Sequence, residues 1–292
     1  MKEWIILDTD IGGDIDDTWA LALLLKMDCY DIKLISITGY DTFYQVQLTA
    51  KLLTIAGRED IPIAYNLPQD CNRGAQDRWI EDFSLEHYRG RIYTGTLEPM
   101  KKVIHESRDK VKILSIGDKT NVAELLRNHD EAVHKCIVYS MQGSFDETFA
   151  ETNIRSDFQS ARQLLAYDVE KHIIPTDVCG KTKLDGSYYE ALLASEDSLV
   201  KAVLDNYRIW WEDCDWNEHQ QNVDIESSIL YDPVTLMYMY DESAFTHEDM
   251  DMYVDFNGLT HIESGYGNRV HCATGIIDEE KLKKDMVRLL LE

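Results

Sequence analysis

Asp8-Thr9-Asp10-Ile11-Gly12-Gly13-Asp14-Ile15-Asp16-Asp17 places five carboxylates in ten residues. Upstream, residues 3–7 (EWIIL) read as a buried strand. Downstream, residues 18–27 (TWALALLLKM) are apolar nearly all round, which predicts a helix buried on most sides. The acidic segment therefore joins a first strand to a first helix. Gly12 and Gly13 let the chain turn tightly there and bring carboxylates inward. Two carboxylates at about 4 Å repel by roughly 1 kcal/mol in water and by several-fold more in a cleft. Such a cluster needs a cation, a shared proton or full exposure. Oxygen donors without histidine or thiolate suit Ca²⁺ or Mg²⁺ rather than zinc. The plainer alternative is a solvated acidic turn that caps the helix with favourable charge.

Outward from this segment, strands and helices alternate. Strands are expected at 32–38, 61–65, 111–116, 136–141 and 172–174, and helices at 42–56, 120–127 and 157–167. Gly57 suits a left-handed helix end, and Thr120 or Asn121 suits a helix start. The alternation predicts an α/β fold: a doubly wound, mainly parallel sheet flanked by helices, with its site at the carboxyl ends of the strands. The later chain differs. Residues 187–216 are helical and aromatic, Asp232-Pro233 opens another helix, Asn257-Gly258 signals a small C-terminal hairpin, and a helix closes the chain over 279–291. One domain over 1–292 is expected, with residues 187–225 as a helical flank or lid.

The 292 residues include 29 Lys plus Arg against 54 Asp plus Glu, a net charge of −25. That field repels phosphate backbones and argues against a nucleic-acid partner. Apolar residues make up 44% of the chain but never form a membrane-length run, so no membrane partner is expected. The strand-like start carries no signal-peptide pattern, which points to a cytoplasmic protein. Six scattered cysteines without a CxxC pair read as free thiols. The nine histidines show no metal-binding spacing in the sequence.

The acidic stretch, continued by Asp16-Asp17-Thr-Trp-Ala20-Leu21, resembles the N-terminal signature of the inosine-uridine-type nucleoside hydrolases. Three later segments are similar to that family in the same order: Gly117-Asp-Lys-Thr120-Asn121-Val-Ala123, Ala150-Glu151-Thr-Asn153, and Tyr231-Asp232-Pro233. The resemblance implies a calcium-dependent enzyme that hydrolyses the N-glycosidic bond of a ribonucleoside, giving ribose and free base. Its partner would be a small-molecule nucleoside, and it would assemble as a homodimer or homotetramer. By the same resemblance Asp10, Asp17, Asp232 and the Thr120 carbonyl hold Ca²⁺, and Asp10 is the general base on a metal-bound water. Asp16 and Asp232 bind the 2′- and 3′-hydroxyls, Glu151 and Asn153 hold the sugar, and Met141 lies beneath it. These residue types suit a reaction that develops oxocarbenium charge.

The chain departs from the family pattern at several positions. Tyr231 stands where the family has a histidine, which removes one leaving-group acid, because tyrosine ionises only near pH ~10. His219 is the histidine to test in that role, although a surface role is the plainer reading. Asp118-Lys119 replaces Pro-Leu, so Lys119 either pairs with carboxylates or sits in solvent. Asp41 stands near the position of a family asparagine. Residues 66–97 match least and suggest no mechanism. Two alternatives remain open: a member that binds a sugar-like ligand without turnover, and a DxD phosphatase of the haloacid dehalogenase type with Asp8 as nucleophile.

Overall fold

The computed structural model describes residues 2–146, 148–215 and 222–292. The first half alternates β1 (Glu3–Thr9), α1 (Asp16–Lys26), β2 (Tyr30–Ile37), α2 (Thr42–Ile55), β3 (Ile63–Tyr65), β4 (Ile92–Thr94), α3 (Leu97–Glu106), β5 (Val111–Ser115), α4 (Thr120–Asn128), α5 (Asp130–Lys135) and β6 (Cys136–Met141). It continues with α6 (Thr152–Ser156), α7 (Phe158–Ala166), β7 (Glu170–Ile174), α8 (Thr176–Cys179), α9 (Gly186–Leu193), α10 (Ser198–Asp213) and α11 (Tyr231–Tyr240). The chain ends with β8 (Phe245–Val254), β9 (Thr260–Ile262), β10 (Asn268–Ile276) and α12 (Glu279–Leu291).

The strands form one sheet in the order β4-β3-β2-β1-β5-β6-β7-β10-β8-β9. The pairs from β4 to β7 are parallel, and so is the short β7–β10 pair. β10, β8 and β9 are antiparallel, so the expected C-terminal hairpin is two strands of a three-stranded extension. Strand order reverses between β1 and β5, which makes the carboxyl end of β1 the switch point where open α/β sheets bind ligands. The acidic segment lies there.

Side-chain alternation on β1 shows why this sheet is buried on both faces. Ile5 and Leu7 enter a core built with α1, α2, α10 and α11, while Ile6 enters the opposite core with α3 and α4. All three side chains are fully buried, as a central parallel strand requires. α1 is apolar round most of its surface because it lies between the sheet, α11 and α10. Among the described residues no helix is long and apolar enough to cross a membrane.

Candidate active site

Between β1 and α1 the backbone turns at Gly12, whose φ of 114° strains any residue with a Cβ. Three side chains from other elements clamp the turn through its carbonyls. Tyr44 of α2 donates its hydroxyl to Gly12 O at 3.2 Å, Trp210 of α10 donates Nε1–H to Gly13 O at 3.1 Å, and Gln76 donates Nε2–H to Asp14 O at 2.9 Å. Gln76 is fully buried, and its own Oε1 accepts from Asn206 at 2.7 Å and Thr18 at 3.0 Å. A Cβ on Gly74 would lie 2.0 Å from Gly12 O, so the chain around residue 74 closes directly on the turn. The 66–97 stretch thus acquires a role that its sequence did not suggest. Trp210 belongs to the core, as an aromatic on a helix is expected to, and it also braces the acidic turn.

Asp16 and Asp17 occupy the first turn of α1, and Asp232 the first turn of α11. The two helices pack against each other and bring these acids together from positions more than 200 residues apart. One oxygen from each carboxylate lies within 4.8 Å of the other two, and all three residues are buried. Asp232 N–H donates to Asp16 Oδ2 at 3.3 Å, and the Thr9 hydroxyl donates to Asp17 Oδ1 at 2.5 Å. Asp232-Pro233 does open a helix, with Asp232 one residue inside its start and no side chain capping it. Both helix N-termini favour negative charge, but by only about 0.3–1 kcal/mol each. Burial is the larger effect. It pushes all three carboxyls well above their ordinary range, and repulsion from neighbouring aspartates pushes them further. Three buried acids at this spacing share protons or hold a cation, and an all-oxygen donor set fits calcium or magnesium.

Asp10 lies beside this trio. Its charge raises Asp16, Asp17 and Asp232, and it is itself raised to about 7 by burial and then by Asp118. Gly117 makes room for it, since a Cβ there would sit 2.9 Å from Asp10 Oδ1. Asp10 and Asp118 line an open cavity of about 150 Å³ with Tyr40, Asp41 and Tyr44. A second cavity of about 220 Å³ adjoins it, sharing Tyr40 and Asp118 and adding Thr120 and Asp157.

The sugar-binding candidates gather at the end of β6. Glu151 accepts N–H groups from Asn153 at 2.7 Å, Ile154 at 3.1 Å and Gly143 at 3.2 Å, and so caps α6. Asn153 donates to Ile116 O at 2.8 Å and to Met141 O at 3.3 Å, which places Met141 against it. Thr120 lies apart from the acidic trio in its side-chain contacts: its hydroxyl donates to Asp157 Oδ2 at 2.8 Å and its N–H to Asp118 Oδ1 at 3.0 Å. Asp118, not Thr120 or Asn121, therefore serves the start of α4. Asp41 caps α2 by accepting from Tyr44 N–H at 3.1 Å.

Lys119 follows neither path expected for it. It is fully buried, and its ammonium donates to backbone carbonyls of Ser115 at 3.2 Å, Met141 at 2.9 Å and Gly117. Burial lowers its pKa, while Glu151, Asp8, Asp10 and Asp118 act to raise it. Tyr231 packs against Gly180 and is pushed up to about 12 by burial and then by Asp16, which makes it a poor proton donor. Asp8 is fully buried with Oδ1 bonded by Asn121 at 3.0 Å, a placement unsuited to the nucleophile of a phosphatase. His219 lies outside the described residues.

The family model described as "Inosine-uridine preferring nucleoside hydrolase" matches residues 5–284. Pyrimidine-specific ribonucleoside hydrolase RihA of Escherichia coli O7:K1 is 26% identical, with 99% of this chain and 97% of that protein aligned. Its namesake in Shigella flexneri is 25% identical over 95% of this chain and 94% of its own. Among solved structures, a plant nucleoside hydrolase superposes with a TM-score of 0.85 at 20% identity, covering 100% of this chain and 99% of its own. An inosine-uridine preferring nucleoside hydrolase from Bacillus anthracis gives 0.81 at 15% identity, with 99% of each chain covered. These two likenesses bear on the fold, and the family match spans nearly every residue that builds the acidic site. The chain belongs to the inosine-uridine preferring nucleoside hydrolase family and is an N-ribosyl hydrolase.

Proposed function

We propose that the protein hydrolyses a ribonucleoside to ribose and free base in a calcium-dependent reaction, with Asp10 as the general base. The observation that carries this reading is the meeting of Asp16, Asp17 and Asp232 beside Asp10 at the switch point of the sheet. In this reading Asp10, Asp17, Asp232 and the Thr120 carbonyl hold the ion. A divalent cation bound there supplies Lewis acidity and makes a water more acidic. Asp10 takes the proton from the attacking water, a task suited to a carboxylate placed beside the ion. Asp16 and Asp232 accept the 2′- and 3′-hydroxyls, and their charge favours a sugar that becomes cationic. Glu151 and Asn153 hold the sugar above Met141. Glu151 Oε2 is filled by the amides of Gly143 and Ile154, whereas Oε1 accepts only from Asn153 and keeps a lone pair for a hydroxyl. Holding the ribose by its hydroxyls fixes the reacting carbon beside the water.

A second reading, binding of a sugar-like ligand without turnover, is favoured by Tyr231, whose hydroxyl is held near 12 where an acid would help the base depart. One assay separates the two. p-Nitrophenyl riboside has a leaving group that needs no protonation, so a hydrolase releases p-nitrophenol with calcium and loses that activity in Asp10→Asn. Calcium and ribose binding without any release would establish the second reading.

A further inference from the structure

A second cluster of metal-ligating groups lies away from the aspartates, on the seam between the parallel sheet and its antiparallel extension. β7 and β10 pair at only two positions, His172 with His271 and Ile173 with Cys272. Both histidines therefore sit side by side on one face, with their rings 4.9 Å apart. Glu242, in the short 3₁₀ turn after α11, reaches the same point. Its Oε1 lies 3.2 Å from His172 Nδ1 and 2.8 Å from His271 Nε2. One ligand atom from each of the three lies within 4.8 Å of the others.

Three observations separate this cluster from an ordinary ion pair. His172 is 8% exposed, and its buried Nδ1 has no hydrogen-bond partner among the described residues, since the nearby Glu242 oxygen is poorly aligned for one. The outer nitrogen of His271 contacts Asp249 Oδ1 at 2.8 Å, the carboxylate–imidazole arrangement that orients histidine ligands. The spacing also fits a small ion: ligands roughly 2.0–2.1 Å from a tetrahedral zinc lie about 3.3 Å from one another. His271 and Glu242 are partly exposed, which leaves a side open for a further ligand, and the His247 ring stands 4.3 Å from that of His271.

We infer that His172, Glu242 and His271 form a binding site for zinc or a similar transition-metal dication, oriented by Asp249 and distinct from the aspartate site. Imidazole donors select such ions over calcium. α11 has Asp232 in its first turn and Glu242 just beyond its last, so about 15 Å of helix separates the two sites. The ion would tie β7, β10 and the end of α11 together where backbone pairing is shortest, and so serve the attachment of the C-terminal strands.

The test uses the full chain with excess calcium, titrated with Zn²⁺ and, for its visible bands, Co²⁺. The inference predicts one zinc per chain retained after desalting, a higher melting temperature and tetrahedral cobalt bands. Asp17→Asn should keep this zinc. Glu242→Gln and the surface-facing His271→Gln should lose it without loss of the fold, and Asp249→Asn should weaken it by about 10–100-fold. Zinc that persists in Glu242→Gln and His271→Gln, zinc lost in Asp17→Asn, or no retained zinc would each overturn it.

Discussion

The acidic cluster makes a strong prediction about chelated protein: without a divalent ion it should be less stable at pH 8 than at pH 6. Asp8 is fully buried and its carboxyl rises from 3.8 to about 7, mainly by burial. A carboxyl raised in the folded state favours the fold while it stays protonated. That contribution is complete below its unfolded pKa and is lost as pH climbs through about 7. For such a group the loss between pH 6 and pH 8 works out at about 1.4 kcal/mol. Asp10, also near 7, adds a smaller share because it is partly exposed. Asp16, Asp17 and Asp232 lose stability in the same direction. At roughly 2 °C per kcal/mol for a chain of this size, Asp8 and Asp10 together lower the melting temperature by about 3–5 °C. Melting curves in EDTA and in calcium at both pH values provide the assay. Calcium should stabilise more at pH 8 than at pH 6, and its binding near neutrality should release protons. Asp10→Asn should flatten the dependence. Chelated protein that melts at the same or a higher temperature at pH 8 would refute the argument.

Three other outcomes follow from named contacts. Trp210→Phe removes the bond to Gly13 O and should lower stability by about 1–2 kcal/mol, with kcat falling before the fold is lost, as read by denaturant titration beside the p-nitrophenyl assay. Tyr231→Phe should change turnover of an unactivated nucleoside by less than about threefold, because a hydroxyl near 12 is not the acid; a loss of about a hundredfold would show that it is. Gly74→Ala sets a Cβ against Gly12 O and should weaken calcium binding, measured by calorimetry, as well as lower the melting temperature.

The legible part of this protein is the part written in contiguous segments. Five carboxylates around two glycines could be read as a turn that needs a cation, because repulsion between neighbouring charges is a local property. The alternation of strands and helices was equally legible, since a parallel sheet buried on both faces leaves long apolar runs such as Ile5–Leu7 and Ile113–Leu114. β10 is not legible because most of its residues are only partly buried although it lies between β7 and β8, and the run 268–276 has little apolar periodicity. Gln76 and Trp210 are not legible for another reason. Their function lies in one hydrogen bond each to a carbonyl of the acidic turn, and no composition rule distinguishes such a residue from core or loop.

Lys119 and the histidines show the limit in physical terms. A lysine between aspartate and threonine reads as solvated, because burying an ammonium is costly. Here three carbonyls at the ends of β5 and β6 compensate that cost, and they converge only once the two strands are in register. His172, Glu242 and His271 carry no spacing signal for the same reason: the two histidines meet by pairing of β7 with β10, and the glutamate arrives after a helix. Metal-binding spacings in sequence describe ligands on one helix or one loop. Ligands supplied by register across a sheet have no fixed separation, so their signal is in strand order. A sheet whose seventh strand pairs with its tenth can bring together side chains 99 positions apart, as His172 and His271 are. The aspartate site obeys the same geometry through helix packing, yet its two acids on α1 lie adjacent in sequence, and that contiguity is what made it readable.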